Sequence, residues 1–284
     1  MAIETKDLAY IYPNQSGGKK GLQDISLKIK KGEFVLITGP SGCGKTTLCR
    51  CFNGLIPHFY QGELRGEITV AGMDPKKNDT PIMSKKVGMV FQNPENQLFA
   101  LTIEKDVTFG LENQGMPREE MRERIDWAMK LTDIYDLRER SPHEISGGQQ
   151  QRVAIATILA MKPEVIILDE PTSFLDPLSA EKIFQVIFEL NKILGITVVL
   201  VEHRLDLTAK YVNHMVILEH GKVSFDGNPR EILDVEEARL LGVGIPKPTL
   251  LYQVLRKEGI DLRKKTPLSS EEMATLLLEA FGNK

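Results

Sequence analysis

Cysteine, tryptophan and long apolar runs are all scarce in this sequence of 284 residues. The three cysteines, Cys43, Cys49 and Cys51, lie close together, which excludes the disulfide framework of a small secreted domain. Apolar runs such as "VAIATILAM" are far shorter than the ~20 residues that a membrane-spanning helix needs. The first residues are polar and show no signal peptide. We therefore expect reduced thiols, and any work at a membrane to be done through a partner.

An excess of charge of one sign is also lacking, because 36 basic residues stand against 39 acidic ones and the net charge is −3. This balance gives no general attraction to nucleic acid, so we expect no nucleic-acid partner. The Cys49-x-Cys51 pair has no second pair nearby, which a structural zinc site would need, and we interpret it as small apolar packing. The length fits one large domain with an appendage.

Three apolar segments end in residues that carry chemistry: "FVLITG" (34–39), "EVIILDE" (164–170) and "GITVVLVEH" (195–203). Continuous apolar strands that alternate with helices indicate a parallel sheet covered on both faces. Open α/β sheets bind ligands at the carboxyl ends of their strands. The glycine, the two acids and the histidine are therefore expected at one edge.

Other segments fill in the organisation of the chain. Residues 66–72 and 85–92 are β-rich, and residues 94–162 contain a helical insertion in which Trp127 is expected in the core. From about residue 240 the sequence predicts two further helices, the second opened by a capping box of Ser269 and Glu272.

The stretch "GPSGCGKT" (39–46) matches G-x-x-x-x-G-K-[ST] and lies between a predicted strand and a predicted helix. Its glycines let backbone N–H groups close around phosphate oxygens, and the helix start adds partial positive charge. Lys45 is expected at the β- and γ-phosphates, and Thr46 is expected to bind Mg²⁺. The predicted phosphate-binding residues are Gly39, Pro40, Ser41, Gly42, Cys43, Gly44, Lys45, Thr46 and Thr47.

Cys43 lies inside this loop and allows two interpretations. It is either an inert small residue or a thiolate favoured by the helix start and by Lys45. Farther along, Asp169 is placed to hold Mg²⁺ through water, and Glu170 to orient or deprotonate an attacking water. Paired acids after a strand also begin helices, but the phosphate loop upstream favours the catalytic interpretation.

The stretch "ISGGQQQR" (145–152) predicts a second helix that begins with a serine and bare glycines. A hydroxyl and free N–H groups at a helix start suit a γ-phosphate. Alone, Ser146, Gly147 and Gly148 would be only a helix cap. The chain already has one phosphate loop. A second helix start of this kind would need another phosphate, or the far side of the same one.

Together these motifs resemble an ATP-binding cassette (ABC) ATPase: "GPSGCGKTT" its Walker A motif, "VIILDE" its Walker B, "ISGGQ" its signature, Gln92 in "VFQNP" its Q-loop, "SFLD" (173–176) its D-loop and His203 its switch histidine. The six elements occur in the family's order. The resemblance implies an α/β P-loop NTPase fold with a RecA-like core, an antiparallel β subdomain and a helical signature subdomain. It divides the chain into a nucleotide-binding domain (1–240, helical subdomain about 94–162) and a helical C-terminal extension (241–284).

The resemblance also implies that two cassettes pack head to tail, with each ATP and its Mg²⁺ lying between them. Within one chain it assigns catalysis to Lys45, Gln92, Glu170 and His203, and metal binding to Thr46, Gln92 and Asp169. Tyr12 would stack on adenine, although the nearby Tyr10 leaves simple strand packing open. Across the dimer it assigns ATP contacts to Ser146, Gly147, Gly148, Gln149 and Asp176.

Two stretches, "GLIPHFYQGELRGEITVAGMD" and "FQNPENQLFA", resemble the ATPase subunits of energy-coupling-factor (ECF) importers of vitamins, cobalt or nickel. The family's Q-helix, usually P-D-x-Q, matches Pro94, Glu95, Asn96 and Gln97, with a longer acidic arm at position 95. This segment would pass the ATP state to a bound partner, so changing Gln97 would impair transport more than basal hydrolysis. The alternative is an ordinary polar turn.

The implied partners are a second cassette, identical or paralogous, a transmembrane scaffold protein and a substrate-binding membrane protein. The chain would then work at the cytoplasmic face of the membrane, and its extension would contribute to pairing. Two alternatives stay open: the ATPase of an ordinary ABC importer and a soluble ABC ATPase without a transport role. A simple P-loop kinase is disfavoured because it has no use for "SGGQ" or "SFLD".

Overall fold

The computed structural model of the chain describes residues 1–13, 20–260, 262 and 265–281. Within these ranges, nine strands form two sheets. Their bounds are β1 Ile3–Ile11, β2 Lys20–Ile29, β3 Phe34–Thr38, β4 Glu63–Val70, β5 Val87–Val90, β6 Val165–Asp169, β7 Thr197–Val201, β8 His214–Glu219 and β9 Lys222–Gly227.

The central sheet has six strands in the order β5-β6-β7-β3-β8-β9, parallel except for β9. Every residue of β3, β6 and β7 is buried, as their continuous apolar sequences predicted. Because these three strands are neighbours and run the same way, the phosphate loop after β3, the acids after β6 and the histidine after β7 meet at one edge.

The second sheet is antiparallel, in the order β2-β1-β4, and its apolar face packs over the helix that follows the phosphate loop. The two β-rich segments of the sequence go to different sheets. Residues 66–72 supply most of β4, whereas residues 85–92 supply β5 at the edge of the central sheet. The predicted antiparallel subdomain is thus present, with β5 outside it.

Twelve α-helices and three short 3₁₀ helices complete the described part of the chain. The first six α-helices are α1 Lys45–Phe52, α2 Leu55–His58, α3 Thr80–Met83, α4 Ile103–Asn113, α5 Arg118–Leu131 and α6 Gly147–Ala160. The others are α7 Pro177–Leu194, α8 Leu205–Thr208, α9 Pro229–Ile232, α10 Glu236–Leu240, α11 Lys247–Lys257 and α12 Ser270–Phe281. The 3₁₀ helices are Pro94–Asn96, Tyr135–Leu137 and Pro142–Glu144. Among the described residues, none of the helices has both the length and the apolar character needed to cross a membrane.

The helical insertion is built from α4, α5 and α6, whose apolar faces continue the core beneath the central sheet. Trp127 on α5 was expected inside that core, but it is only half-buried. Its indole lies at the flank of the insertion, where the Lys162 ammonium lies 5.7 Å from the ring centroid. An indole is large, and its edge position lets the ring pack on one side while the cation covers the other.

The helices α11 and α12 pack on each other through a small separate cluster of Tyr252, Leu262, Met273 and Leu276. Arg230 fastens this tail to the rest of the chain by two 2.7 Å bonds to the Glu272 carboxylate. The predicted capping box is half formed: Ser269 Oγ accepts from Glu272 N–H at 3.2 Å. The Glu272 carboxylate turns instead to Arg230 and to the N–H of Leu268. Residues 282–284 of the predicted extension lie outside the described residues.

Candidate active site

The loop between β3 and α1 contains two glycines, Gly39 and Gly44, at which a side chain would collide with the backbone. Gly39 has φ +139°, and a Cβ there would lie 2.1 Å from the carbonyl oxygen of Leu218. Gly44 has φ +112°, and its Cβ would lie 2.6 Å from the carbonyl oxygen of Gly21. L side chains rarely adopt such backbone angles, so both contacts and conformation demand glycine. The loop is therefore held open around its centre by the fold itself.

Lys45 fills part of that centre. Its side chain is buried, and Nζ donates to the carbonyl oxygens of Gly39 and Pro40 at 3.0 Å each. A cavity of about 340 Å³ opens beside the loop. Its lining residues are Tyr12, Lys20, Gly21, Ser41, Gly42, Gly44, Lys45, Thr46, Thr47 and Glu170. Most predicted phosphate contacts therefore face one cavity, while Gly39, Pro40 and Cys43 shape it without lining it.

Cys43 lies beneath the loop with its side chain buried. Burial raises the pKa of its thiol, and this effect exceeds the opposing one of the Lys45 ammonium, 3.9 Å from Sγ. Both the burial and the raised pKa favour the interpretation of Cys43 as a small apolar filler over that of a thiolate. Cys43 serves the site through its backbone, since its carbonyl oxygen accepts from Gly221 N–H at 2.9 Å.

Thr46 and Asp169 form the oxygen-rich part of the site. Thr46 Oγ1 donates to Asp169 Oδ1 at 3.2 Å, so the end of β6 meets the start of α1. Burial raises the pKa of Asp169, and the charge of Glu170 raises it further, whereas the Thr46 bond lowers it. A hydroxyl and a carboxylate oxygen side by side, short of compensating positive charge, suit Mg²⁺.

Glu170 is held in one orientation from three sides. Its backbone has φ +49°, and its N–H donates to Val201 O at 3.0 Å. One carboxylate oxygen accepts from Gln92 Nε2 at 2.7 Å, and the other lies 3.2 Å from His203 Nε2. A non-glycine residue in the left-handed region is strained, and such strain often marks a functional position. The structure thus brings the three residues predicted from separate strands into one contact.

This arrangement can perform proton abstraction beside a bound phosphate. Glu170 lines the cavity, whereas Gln92 and His203 lie outside its lining and contact the Glu170 carboxylate. A water held between Glu170 and a phosphate would lose its proton to the carboxylate. The amide and the imidazole then fix which way that carboxylate faces.

The two N-terminal tyrosines have different surroundings. Tyr10 is fully buried, and its hydroxyl donates to Gln61 O at 2.6 Å, so it is a packing residue. Tyr12 is half-buried at the cavity, edge-on to Tyr10 at 4.8 Å, with its hydroxyl 2.5 Å from Thr47 Oγ1. A Cβ on Gly21 would lie 2.7 Å from the Tyr12 ring. Gly21 and Lys20, which the sequence analysis missed, thus belong to this wall, and only strand pairing could have revealed them.

The second glycine-rich helix start lies outside the lining of this cavity. Ser146 caps α6: its Oγ accepts from Gln149 N–H at 3.4 Å, and Gln149 Oε1 accepts from Ser146 N–H at 2.9 Å. Ser146 and Gly147 are exposed, and a Cβ on Gly147 would meet nothing within 4 Å. Asp176 likewise caps a helix, α7, through the N–H groups of Leu178 and Ser179. None of these residues lines the phosphate-loop cavity.

The predicted coupling segment is a 3₁₀ helix with two exposed side chains, Glu95 and Asn96. Gln97 behaves differently from a free docking residue. Its Oε1 accepts from Phe91 N–H, and its Nε2 donates to Met89 O, both at 3.3 Å. The amide therefore extends the edge of β5 directly before Gln92. This geometry predicts that changing Gln97 also disturbs hydrolysis.

Residues 202–204 add contacts that the motifs did not predict. Glu202 is buried, and burial raises its pKa to about 7. Its Oε1 accepts from Thr172 Oγ1 at 3.2 Å, while Arg204 donates to the backbone of the segment that follows Glu170. A charged residue on each side of His203 was the only sequence signal.

Comparisons with known proteins show which family the chain resembles. A family model described as "ABC transporter" matches residues 22–173. The chain is 41% identical over 259 residues, 90% of each chain, to the "Energy-coupling factor transporter ATP-binding protein EcfA" of Methanocaldococcus jannaschii. The structure of cbiO1 from Clostridium perfringens, "part of the ABC transporter complex cbiONQ", is 35% identical with a TM-score of 0.74, covering 89% of this chain and 98% of that one. An ATP-binding cassette solved as a dimer in a post-hydrolysis state with ADP and Pi is 33% identical, with a TM-score of 0.71, covering 80% and 99%.

Proposed function

We propose that this chain, which belongs to the ABC transporter family and is an ATP-hydrolysing transporter subunit, energises an ECF-type importer as one of two paired cassettes. One observation carries the pairing. The phosphate loop, Thr46 and Glu170 line one cavity and Asp169 contacts Thr46, whereas Ser146 and Gly147 at the start of α6 are exposed and lie outside that cavity. A second chain can supply that helix start to the first chain's nucleotide, as in the head-to-tail arrangement that the motifs imply.

Within one chain, the loop holds the ATP phosphates, and Lys45 provides positive charge at the β- and γ-phosphates. Thr46 and Asp169, with Gln92 at the edge, would hold Mg²⁺, which when bound offsets the charge of the phosphate oxygens. Glu170 takes the proton of the attacking water. His203 and Gln92 keep its carboxylate in place, while Tyr12 faces the base of the nucleotide.

Across the pair, the helix start at Ser146 contributes its hydroxyl and the N–H groups of Gly147 and Gly148 to the γ-phosphate. Gln149 holds that start rigid through the capping box. Asp176 sits at the start of α7 on the surface facing the partner, and pairing would be strengthened by the extension, residues 241–284. Leu278 and Phe281 on α12 offer exposed apolar side chains for this purpose.

An apolar patch beside the coupling segment suits the membrane partner. Phe99, Leu101 and Phe109 are 66%, 80% and 46% exposed, and the two phenylalanine rings stack edge-on at 4.8 Å. The buried Asp106 carboxylate accepts from Phe99 N–H and Ala100 N–H at 3.1 Å, which fixes the patch on α4. A helix of a transmembrane scaffold protein would dock here, at the cytoplasmic face of the membrane.

The ECF type rests on the likeness to EcfA and to cbiO1 together with the coupling segment. Cargo would then be a vitamin, or a cobalt or nickel ion, chosen by a separate substrate-binding membrane protein. The pairing of cassettes can be identical or between paralogues.

Mixing two inactive variants tests the shared site. Lys45→Ala removes a residue of the chain's own site, and Gly147→Leu one that acts on the partner. A mixed dimer contains one intact site, so mixing should restore up to about a quarter of wild-type turnover if pairing is random. Mixing Lys45→Ala with Glu170→Gln is the control, because both changes damage the same half and no intact site forms. Equal rates in both mixtures would contradict the proposal.

Affinity purification from native membranes tests the transporter type. The tagged chain should bring down a small polytopic membrane protein and a substrate-binding membrane protein. Leu101→Asp should abolish this association, and Ile193→Asp, at a similarly exposed position on α7 (72% against 80%), should preserve it. Recovery of a permease without a separate substrate-binding membrane protein would instead indicate an ordinary ABC importer. Retrieval of no membrane protein would favour a soluble role.

A further inference from the structure

The three consecutive residues 202–204 all contact the segment 170–175. Glu202 accepts from the Thr172 hydroxyl at 3.2 Å, and His203 contacts the Glu170 carboxylate at 3.2 Å. Arg204 Nη1 donates to the carbonyl oxygens of Thr172 at 3.3 Å and of Leu175 at 3.1 Å. Two adjacent loops at the end of the central sheet are thus joined residue by residue.

The contacts between residues 202–204 and 170–175 are buried at Thr172 and Glu202, and the chain becomes exposed just after them. Thr172 and Glu202 are 0% and 2% exposed, so their contact is shielded from water. The segment then leaves the core: Phe174 and Leu178 are 70% and 73% exposed. Movement of Glu170, which is half-buried at the cavity, therefore has a short path to this exposed surface.

We propose that Arg204 is a positioning residue that couples His203 and Glu170 in its own chain to the exposed segment 173–178, which meets the second cassette. The part that concerns the second cassette rests on the proposed function. Arginine suits the task because its planar fork can engage backbone carbonyl groups from a fixed position. The guanidinium does not line the nucleotide cavity, so its effect is on turnover and not on nucleotide binding.

Arg204→Gln removes the charged donor and should lower kcat about tenfold, a loss typical of hydrogen bonds from a charged group. Nucleotide affinity of the single chain should stay within about twofold, and the Hill coefficient for ATP should fall toward one. Arg204→Lys, which keeps a donor, should restore part of both quantities. Arg65→Gln, which removes an exposed arginine on β4, is the matched control and should change neither.

The mixed dimer of Lys45→Ala and Gly147→Leu chains locates the effect. Its intact site uses the loop of the Gly147→Leu chain and the signature of the Lys45→Ala chain. Adding Arg204→Gln to either chain should lower turnover, because the coupling runs through both. An effect only in the chain that supplies the loop would overturn the coupling to the partner. Unchanged kinetics, or parallel losses of stability and affinity, would overturn the positioning role. If the mixture is inactive without Arg204→Gln, the pairing itself has failed instead.

Discussion

Two helices of this molecule, α1 and α6, begin after small residues and glycines, but they use glycine for different reasons. Before α1, a Cβ on Gly39 would overlap with the carbonyl oxygen of Leu218, so the chain's own fold requires glycine there. Before and within the first turn of α6, Ser146 and Gly147 are exposed, and a Cβ on Gly147 would meet nothing within 4 Å. Contacts within the described part of the chain therefore do not require glycine at position 147, which agrees with the proposed approach of a second chain.

The same contrast holds for the polar groups. At α1, Lys45 and Thr46 contact other residues of the catalytic edge. At α6, Ser146 and Gln149 satisfy one another in a complete capping box. The cap that the sequence suggested is present, and the further role that we propose for this helix start would depend on the N–H groups of its first turn. The groups at the start of α1 contact residues of the catalytic edge, whereas the side chains at the start of α6 contact only one another.

Glu170→Gln should have the largest effect on turnover. It tests the catalytic edge around the start of α1, the first of the two regions compared. The amide cannot take a proton, so we expect kcat to fall about 10³-fold. ATP binding should persist, because the phosphate loop is unchanged, and ATP should then trap the paired state in analytical ultracentrifugation. Retention of substantial hydrolysis would remove Glu170 as the base.

Gly39→Ala should damage folding before it damages catalysis. The methyl group would lie 2.1 Å from Leu218 O at a backbone φ of +139°. We expect a loss of roughly 3 kcal/mol or more in the free energy of unfolding, because neither the carbonyl nor the loop can give way cheaply. Urea denaturation measures this loss. Gly42→Ala, where a Cβ meets nothing within 4 Å, is the milder control in the same loop.

Glu202→Gln should show that the buried Glu202 carboxylate lowers the free energy of unfolding in a pH-dependent way. Burial raises the pKa of Glu202 to about 7 from an ordinary 4.5, with the charge of Glu170 adding to it. A raised carboxyl pKa favours the folded state at low pH, and this advantage is lost as the pH rises from about 4.5 to 7. The stability of the Gln variant relative to wild type should therefore grow by about 3 kcal/mol between pH 4 and pH 8. A constant difference across this range would contradict the assignment.

Gly147→Leu should show the opposite behaviour from Gly39→Ala. Open space around position 147 leaves the melting temperature of the single chain nearly unchanged. Turnover should nevertheless fall about 100-fold, as when a transition-state donor is blocked. Thermal unfolding and steady-state ATPase rates, measured on the same preparation, separate the two effects. Full activity in this variant would end the contrast between the two helix starts.

The sequence predicted the parts of the site that are local. A buried strand, a glycine loop and a helix are consecutive in the chain, so the phosphate loop and the acids after β6 could be found by pattern. The close approach of the Tyr12 ring to Gly21 and the hydrogen bond from Arg204 to Leu175 O depend on which strands and loops become neighbours. The inward orientation of Gln97 likewise depends on β5 being an edge strand, whose free groups its amide satisfies. Such contacts follow from topology, which periodicity does not encode.

Ser146 offers the smallest and most discriminating change, because a cap and a ligand site respond to it differently. Ser146→Ala removes the acceptor for Gln149 N–H and should cost about 1 kcal/mol in the free energy of unfolding. Ser146→Asp keeps a good cap and should preserve stability, since a carboxylate at a helix start accepts the same bond. The added negative charge would, however, oppose the γ-phosphate of the partner's ATP, so turnover should fall further with Asp than with Ala. If activity instead followed stability through both variants, α6 would begin with a cap alone, and the two helix starts would differ only in their packing.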